Sequence, residues 1–156
     1  MQKHSPQGVF MASSIRYTRK GDIHTFETDL PGMEKLVIDH TGVPPEQRGG
    51  TAKLLLEAAA IACYSASLAG ALEARKADYA SITATAALDF GTDAVGRSRI
   101  TGMKLDFSVE LDAADAPIFE RCAKLMRNGC LVTGSLHDGI DMAYTLNAVY
   151  KNTAEE

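Results

Sequence analysis

The sequence has no excess of basic residues. It carries 16 Lys and Arg residues against 20 Asp and Glu residues, which gives a formal net charge of −4, and its isoelectric point is about 5.6. Binding to nucleic acid or to an anionic membrane surface depends on clustered positive charge. The charge balance therefore argues against both kinds of partner.

The sequence also lacks low-complexity segments, internal repeats and the pattern of a secretory signal. Residues 1–11 show no charged stretch followed by an apolar one. A composition of 46% hydrophobic and 23% charged residues in a chain of 156 is typical of one globular domain. We expect residues 1–13 to be a loose leader, residues 14–150 a single domain and residues 151–156 a C-terminal tail, in a cytoplasmic protein.

Cysteines are few, and several catalytic patterns are missing. Three cysteines do not make the disulfide framework of a small secreted protein. No Gly-x-Ser-x-Gly elbow is present, so Ser65, His137 and Asp138 do not indicate a hydrolase. The histidines and cysteines lack the spacing of a zinc site. We therefore expect neither a bound metal nor a bound cofactor.

The N-terminal third alternates as antiparallel strands do. Strands are predicted over residues 14–19, 22–28 and 35–40, with Lys20-Gly21 as a tight turn between the first two. Residues 41–50 contain two prolines and a Gly-Gly pair, which favour a loop.

A long helix is predicted from Thr51, a suitable N-cap, to about Lys76. Its interior is built mainly of Ala, Ser and Gly, and it is apolar nearly all round. Such a helix is normally covered on more than one side, so we expect a buried central helix, with a second subunit as one source of cover. Residues 54–72 are long enough to span a bilayer, but their small side chains and Glu57 make that the less favoured interpretation.

The remaining elements alternate between strands and helices. Strands are predicted over residues 79–90 and 99–111, joined by a hairpin at 91–96, and a final strand over residues 140–150. Between them lies a helix over residues 112–127, whose apolar stripe is Ala116, Phe119, Ala123 and Met126. The order of elements indicates an α+β fold rather than a parallel doubly wound sheet.

Two cysteines have positions that suggest chemistry. Cys130 follows the helix stop Asn128-Gly129 and precedes a new turn, where backbone N–H groups can stabilise a thiolate. Cys63 lies in the middle of the small-residue helix. Cys122 lies inside the amphipathic helix, where packing or surface exposure is its expected role. From the residues alone, a reactive pair and three inert cysteines both remain open.

Two segments together resemble the OsmC/Ohr family, the osmotically inducible and organic hydroperoxide resistance proteins. They are LLLEAAAIACYS at residues 54–65 and GCLVT at residues 129–133, and the similarity extends over about residues 14–150. The resemblance implies an OsmC-like fold, with antiparallel sheets around the long buried central helix. It also implies an intertwined homodimer whose active sites lie at the subunit interface.

The resemblance implies a thiol-dependent peroxidase that reduces organic hydroperoxides. Cys63 would be the peroxidatic residue, oxidised to a sulfenic acid, and Cys130 would resolve it as a disulfide that an external dithiol reduces. An arginine from the N-terminal strands assists the peroxidatic thiol in this family. Arg19 is the better match for that arginine, and Arg16 is the second.

The chain departs from the family pattern at two positions. Lys53 stands where the family usually has the glutamate that holds the arginine, and Leu131 stands where proline is common. A lysine can stabilise a thiolate, but it cannot hold an arginine in place. The replacement therefore keeps open a second function, a non-catalytic binding or stress-associated dimer on the same fold.

Overall fold

The structure is a computed structural model that describes residues 14–140 and 142–148. The described residues divide into two compact units, with the division between Gly50 and Thr51. The single domain expected over residues 14–150 stays a prediction.

The first unit is a three-stranded antiparallel meander. Strands β1 (Arg16–Lys20), β2 (Ile23–Glu27) and β3 (Lys35–Asp39) pair in the order β1-β2-β3. After β3 the chain turns back, and the Arg48 guanidinium forms an ion pair with the Asp22 carboxylate at 2.7 Å. The predicted meander is confirmed, with strand ends within two residues of those expected from the sequence.

The second unit begins with the long helix α1 (Thr51–Glu73). The predicted end at Lys76 is three residues late, because the backbone of Lys76 is left-handed, with φ of 58°, and breaks the helical repeat. The N–H of Ala77 instead donates to the carbonyl oxygen of Leu72 at 3.1 Å. This turn leads the chain directly into the next strand.

Strands β4 (Tyr79–Thr92) and β5 (Ser98–Leu111) form a long antiparallel hairpin. Their inward positions alternate as predicted, through residues 82–88 of β4 and 103–109 of β5. The strands run further towards the turn than expected, because Asp93 organises a tight connection. Its carboxylate accepts from the backbone N–H of Arg97 and pairs with the guanidinium of Arg99.

Two shorter helices complete the described part of this unit. They are α2 (Ala116–Leu125) and α3 (Leu131–Asp138), with 3₁₀ turns over Ala113–Asp115 and Met126–Asn128. The predicted helix over residues 112–127 is therefore an α-helix flanked by tighter turns. The short turn expected after Cys130 is a helix of eight residues.

The apolar core lies where α1, α2 and the hairpin meet. Its buried members are Leu68, Leu72, Ala77, Cys122 and Met126. The stripe predicted for α2 was right at two of its four positions, because Phe119 packs against this core and Met126 belongs to it, whereas Ala116 and Ala123 are exposed. The fully buried Cys122 takes the central place, so its role is packing.

In the described structure, α1 is buried along only one stripe of its surface. Its buried residues, Ala60, Leu68 and Leu72, are separated by multiples of four and so share one face of the helix. Leu54 is 66% exposed. Within Pro45–Glu73, an 18-residue segment has a mean hydropathy of 1.6, so its length and composition would allow it to cross a membrane, and only 11% of that segment is buried. The described residues of the second unit do not supply the cover that was expected on the further sides of α1.

The strand predicted at the C-terminal end is absent from the described residues. Residues 142–148 have no regular secondary structure, while Asp141, Val149 and Tyr150 lie outside the described residues. Met142, Tyr144 and Leu146 are exposed by 66%, 84% and 97%. The alternation is present in the sequence, but a strand forms only where another strand accepts its hydrogen bonds. The described part of this chain offers it no such partner.

Candidate active site

Helix α1 places Cys63 beside the start of α3. The next residue, Tyr64, fixes the helix from two directions. Its hydroxyl donates to the backbone oxygen of Met126 at 3.2 Å, and its ring stacks on that of Phe107 with centroids 4.5 Å apart. The backbone N–H groups of Leu131 and Val132 lie near the Cys63 sulfur and act to lower the pKa of this thiol.

Cys130 is the N-cap residue of α3, which confirms the contact with helix-start N–H groups expected from the sequence. The preceding Gly129 makes this possible, because its φ of 78° and ψ of −168° belong to a region that is almost exclusive to glycine. A side chain at Gly129 would also run into the hydroxyl of Thr133. The chain therefore turns sharply from one helix end to the next helix start.

Thr133 closes a capping box with Cys130. Its hydroxyl oxygen accepts from the backbone N–H of Cys130 at 2.9 Å and lies 3.3 Å from the Cys130 sulfur. Its own backbone N–H donates to that sulfur at 3.5 Å. In the usual capping box a serine or threonine occupies the N-cap and an acid or amide the third helical position. Here a thiol and a threonine take those places.

The thiols of Cys63 and Cys130 interact directly, and both are unpaired and half-buried. The hydrogen bond between them, together with burial, raises the pKa of Cys63 above the ordinary thiol value. The backbone N–H groups beside Cys63 act in the opposite direction but do not outweigh these effects. Cys63 therefore holds its proton more tightly than a free cysteine does.

Cys130 is shifted the other way. Burial opposes its ionisation, but hydrogen bonds from Cys63, from the Thr133 hydroxyl and from backbone N–H groups outweigh burial and lower the pKa of Cys130. Donors directed at a sulfur favour its charged form. Of the two neighbouring thiols, Cys130 is thus the one whose pKa is lowered.

The sequence predicted a cation that promotes ionisation of Cys63. Among the described residues, the groups that shift the pKa of Cys63 include no cation. Lys53 is directed elsewhere, because its ammonium lies 5.2 Å from the centre of the Phe90 ring. This cation–π contact offsets the unfavourable position of a positive charge in the first turn of a helix. Lys53 therefore has a contact of its own in the second unit.

Arg19 and Arg16 lie in the first unit, on opposite faces of its sheet. In the β1–β2 register Arg19 stands opposite His24, and Tyr17 opposite Phe26, so these four residues share one face. Arg16 belongs to the other face, opposite Glu27. The Arg19 Nε donates to the backbone oxygen of Gly21 at 3.2 Å. The role of Arg19 beside Cys63 stays a prediction.

A groove of about 500 Å³ lies between β5 and the helices α1 and α3. Its walls are mixed, with apolar side chains from all three elements and polar side chains from β5 and α3. Its residues are Leu56, Ile100, Thr101, Gly102, Met103, Leu105, Thr133, Leu136 and His137. Thr133 thus contacts the Cys130 sulfur and also lines this groove. The residues that the structure describes contain no cluster of three metal-ligating side chains.

Thr133 and the groove were not singled out from the sequence. The signal for Thr133 was present, because a threonine three residues after a capping position is the spacing of a capping box. The groove has no such signal, since it is assembled from three elements that are far apart in the chain.

Known proteins share this architecture. The model of the family described as OsmC-like protein matches residues 45–145. An OsmC-like protein of unknown function from Vibrio cholerae has a TM-score of 0.63 at 18% identity, over 81% of this chain and 94% of its own. A hypothetical protein from Aquifex aeolicus has a TM-score of 0.60 at 10% identity, over 83% and 89%.

A protein from Psychrobacter arcticus, named for an osmotic stress and detoxification response, has a TM-score of 0.54 at 19% identity, over 81% of this chain and 90% of its own. None of the curated proteins matches the sequence. At these identities the likeness establishes a common fold.

Proposed function

Because the chain belongs to the OsmC-like protein family, we propose that it is a thiol-dependent peroxidase that reduces organic hydroperoxides. Cys63 is the peroxidatic residue and Cys130 the resolving residue. One observation carries the proposal: two unpaired thiols, one from the middle of α1 and one from the start of α3, interact directly. We expect a disulfide to form between them once Cys63 is oxidised.

The first step is attack of the Cys63 thiolate on the hydroperoxide. The sulfur bonds to the terminal peroxide oxygen, the O–O bond breaks, and the alkoxide that leaves takes up a proton to become an alcohol. Cys63 is left as a sulfenic acid. In the second step the Cys130 thiolate attacks the Cys63 sulfur, and hydroxide leaves and is protonated to water. An external dithiol then reduces the disulfide by thiol exchange.

Arg19 supplies the charge that ionises Cys63. Two observations support this role. The described residues of the second unit bring no cation to Cys63. Arg19 lies on the same face of its sheet as Tyr17 and Phe26, whereas Arg16 lies on the other face. A guanidinium within a few ångströms lowers the pKa of an acidic group by about one to three units. The family's glutamate is replaced by Lys53, so Arg19 has to be held by other groups.

The groove beside Thr133 receives the organic part of the hydroperoxide. Its apolar residues, such as Leu56, Met103 and Leu105, favour an alkyl or aryl group over the hydrogen of hydrogen peroxide, because burying such a group releases water from apolar surface. The enzyme is thus expected to prefer organic hydroperoxides.

We further propose that the working form is a homodimer with active sites at the subunit interface. The support is the apolar surface that one chain leaves open, including Leu54 and Leu55 on α1 and Leu131 at 73% exposure. A second copy is favoured over lipid as the cover, because Lys53 and Glu57 lie within the helix and α1 packs against β4, α2 and α3. Light scattering coupled to gel filtration tests this, and a stable monomer contradicts it.

We also propose that the protein works in the cytoplasm, with a soluble dithiol as its reductant and without a metal or cofactor. Three unpaired cysteines suit a reducing compartment, where thiols are kept reduced. Nucleic acid and membrane are not expected partners, given the net charge of −4.

The test is consumption of tert-butyl hydroperoxide with dithiothreitol as reductant. Cys63→Ser abolishes turnover. Without dithiothreitol, Cys130→Ser consumes one equivalent of peroxide per site and leaves a sulfenic acid on Cys63 that dimedone traps. Equal consumption by the wild-type protein and Cys63→Ser rules the mechanism out.

A second function, a non-catalytic binding or stress-associated dimer, is favoured by one observation. The raised pKa of Cys63 is the opposite of what a nucleophilic thiol needs at neutral pH. Titration of the Cys63 thiol in the full protein separates the two functions. A pKa well below about 8.5 supports the peroxidase, and an ordinary or raised pKa supports the binding protein.

A further inference from the structure

Thr133 does more than begin a helix. Three of its contacts converge on Cys130: one with the backbone N–H of that residue and two with its sulfur. The Thr133 hydroxyl oxygen is already used as acceptor by the backbone N–H of Cys130. Its single proton is therefore free to be donated to the Cys130 sulfur.

We propose that Thr133 is the positioning residue of the resolving thiol, and that it sets the rate at which Cys130 closes the disulfide with oxidised Cys63. This inference rests on the proposed function. The hydroxyl and the backbone N–H of Thr133 fix the Cys130 sulfur in one orientation and stabilise its charged form.

A charged sulfur is what the resolving step requires. Cys130 attacks the sulfur of the Cys63 sulfenic acid, the S–S bond forms, the S–O bond breaks, and hydroxide leaves and takes a proton from solvent. The thiolate is the nucleophile in such exchanges, so the rate follows its population. Thr133 contributes two hydrogen-bond donors that stabilise this thiolate.

The surroundings show that this arrangement is built into the fold. Gly129 leaves the space that the Thr133 hydroxyl occupies. The titratable groups near the Cys130 sulfur are Cys63 and Tyr64 on α1. Arg127, His137 and Asp138 line a cavity together with Thr133.

The test compares Thr133→Val with Thr133→Ser in the reduced full-length protein. Iodoacetamide labelling of Cys130, followed peptide by peptide across pH, gives the midpoint of its ionisation. Thr133→Val, which removes the hydroxyl but keeps the shape, is expected to raise the midpoint by about one pH unit. Thr133→Ser and the control Ser135→Ala, on the same helix, are expected to match the wild-type protein.

A second measurement follows the disulfide after one equivalent of tert-butyl hydroperoxide. Thr133→Val is expected to oxidise Cys63 to the sulfenic acid, to close the disulfide about tenfold more slowly than the wild-type protein, and so to accumulate the sulfenic acid. Equal midpoints and equal closure rates in Thr133→Val and wild type overturn the proposal. If circular dichroism shows that Thr133→Val loses helix, Thr133→Ala replaces it under the same criteria.

The two proposals fail in different ways. If the wild-type protein consumes no peroxide, the peroxidase fails, while the labelling midpoints still decide whether Thr133 holds the Cys130 sulfur. If peroxide is consumed but Thr133→Val changes neither measurement, only the role of Thr133 is lost.

Discussion

The thiol of Cys63, midway along α1, lies next to the thiol of Cys130 at the N-cap of α3. Their interaction raises the pKa of Cys63 and helps to lower the pKa of Cys130. The arrangement prepares the resolving thiol within the second unit. It leaves the peroxidatic thiol dependent on a charge from elsewhere, which the proposal assigns to Arg19.

Loss of Arg19 is expected to slow the oxidation of Cys63 selectively. At neutral pH, Arg19→Met should reduce the rate of peroxide-dependent sulfenic acid formation by about tenfold or more, because removing a nearby cation raises the pKa of a thiol. The matched control is Arg16→Met, on the opposite face of the sheet. Stopped-flow kinetics with tert-butyl hydroperoxide measures both.

The peroxidase activity of Arg19→Met should change with pH in a direction that can be predicted. The raised pKa of Cys63 in the second unit means that this thiol stays protonated until the pH exceeds the ordinary thiol value. The activity lost in Arg19→Met should therefore return as the pH rises. Cys130 has a lowered pKa, so iodoacetamide should label it at a lower pH than Cys63. An equal loss in Arg16→Met, or no loss in Arg19→Met, argues against Arg19.

Gly129 and Gly139 provide a matched pair of substitutions. Both have positive φ, 78° and 79°, so alanine at either position should destabilise the fold by about 1–3 kcal/mol. Only Gly129→Ala places a methyl group against the Thr133 hydroxyl. Gly129→Ala should therefore also slow disulfide closure, and Gly139→Ala should not.

Urea denaturation measures the stability of both glycine variants, and single-turnover oxidation measures the closure rate. Equal closure rates in the two variants would show that the space beside Gly129 is irrelevant to Cys130.

Cys122→Ser is expected to separate stability from chemistry. Cys122 is fully buried among apolar residues, so a serine there buries a hydroxyl and should lower the free energy of unfolding by about 1–3 kcal/mol. Peroxide turnover per folded molecule should be unchanged. A large loss of turnover with intact folding would instead make Cys122 part of the redox chemistry.

Periodicity predicted most of the fold. The alternation in β4 and β5 and the unbroken helix-forming run of α1 are local signals, and the structure confirms them. The OsmC-like resemblance of the segments around Cys63 and Cys130 is confirmed by the family match over residues 45–145. The capping position of Cys130 also followed from local sequence, since a helix stop next to a helix start is visible in Asn128-Gly129.

Properties that depend on distant residues were harder to predict. The predicted strand over residues 140–150 had the right alternation, but a strand also needs a pairing partner, which a pattern does not reveal. The contact of Lys53 with Phe90 and the groove lined by Leu56 and Met103 are tertiary. The direction in which the pKa of Cys63 shifts depends on the groups around its sulfur. These groups come from a different helix, so they leave no pattern in the sequence near Cys63.

The proposed mechanism depends above all on the two sulfurs forming a bond when peroxide is present. The reduced full-length protein is treated with one equivalent of tert-butyl hydroperoxide, quenched with iodoacetamide and digested without reductant for mass spectrometry. A peptide pair linked through Cys63 and Cys130, formed within the turnover time and abolished by dithiothreitol, is the predicted result. Cys63 and Cys130 both recovered as alkylated thiols, with the peroxide unconsumed, would contradict it.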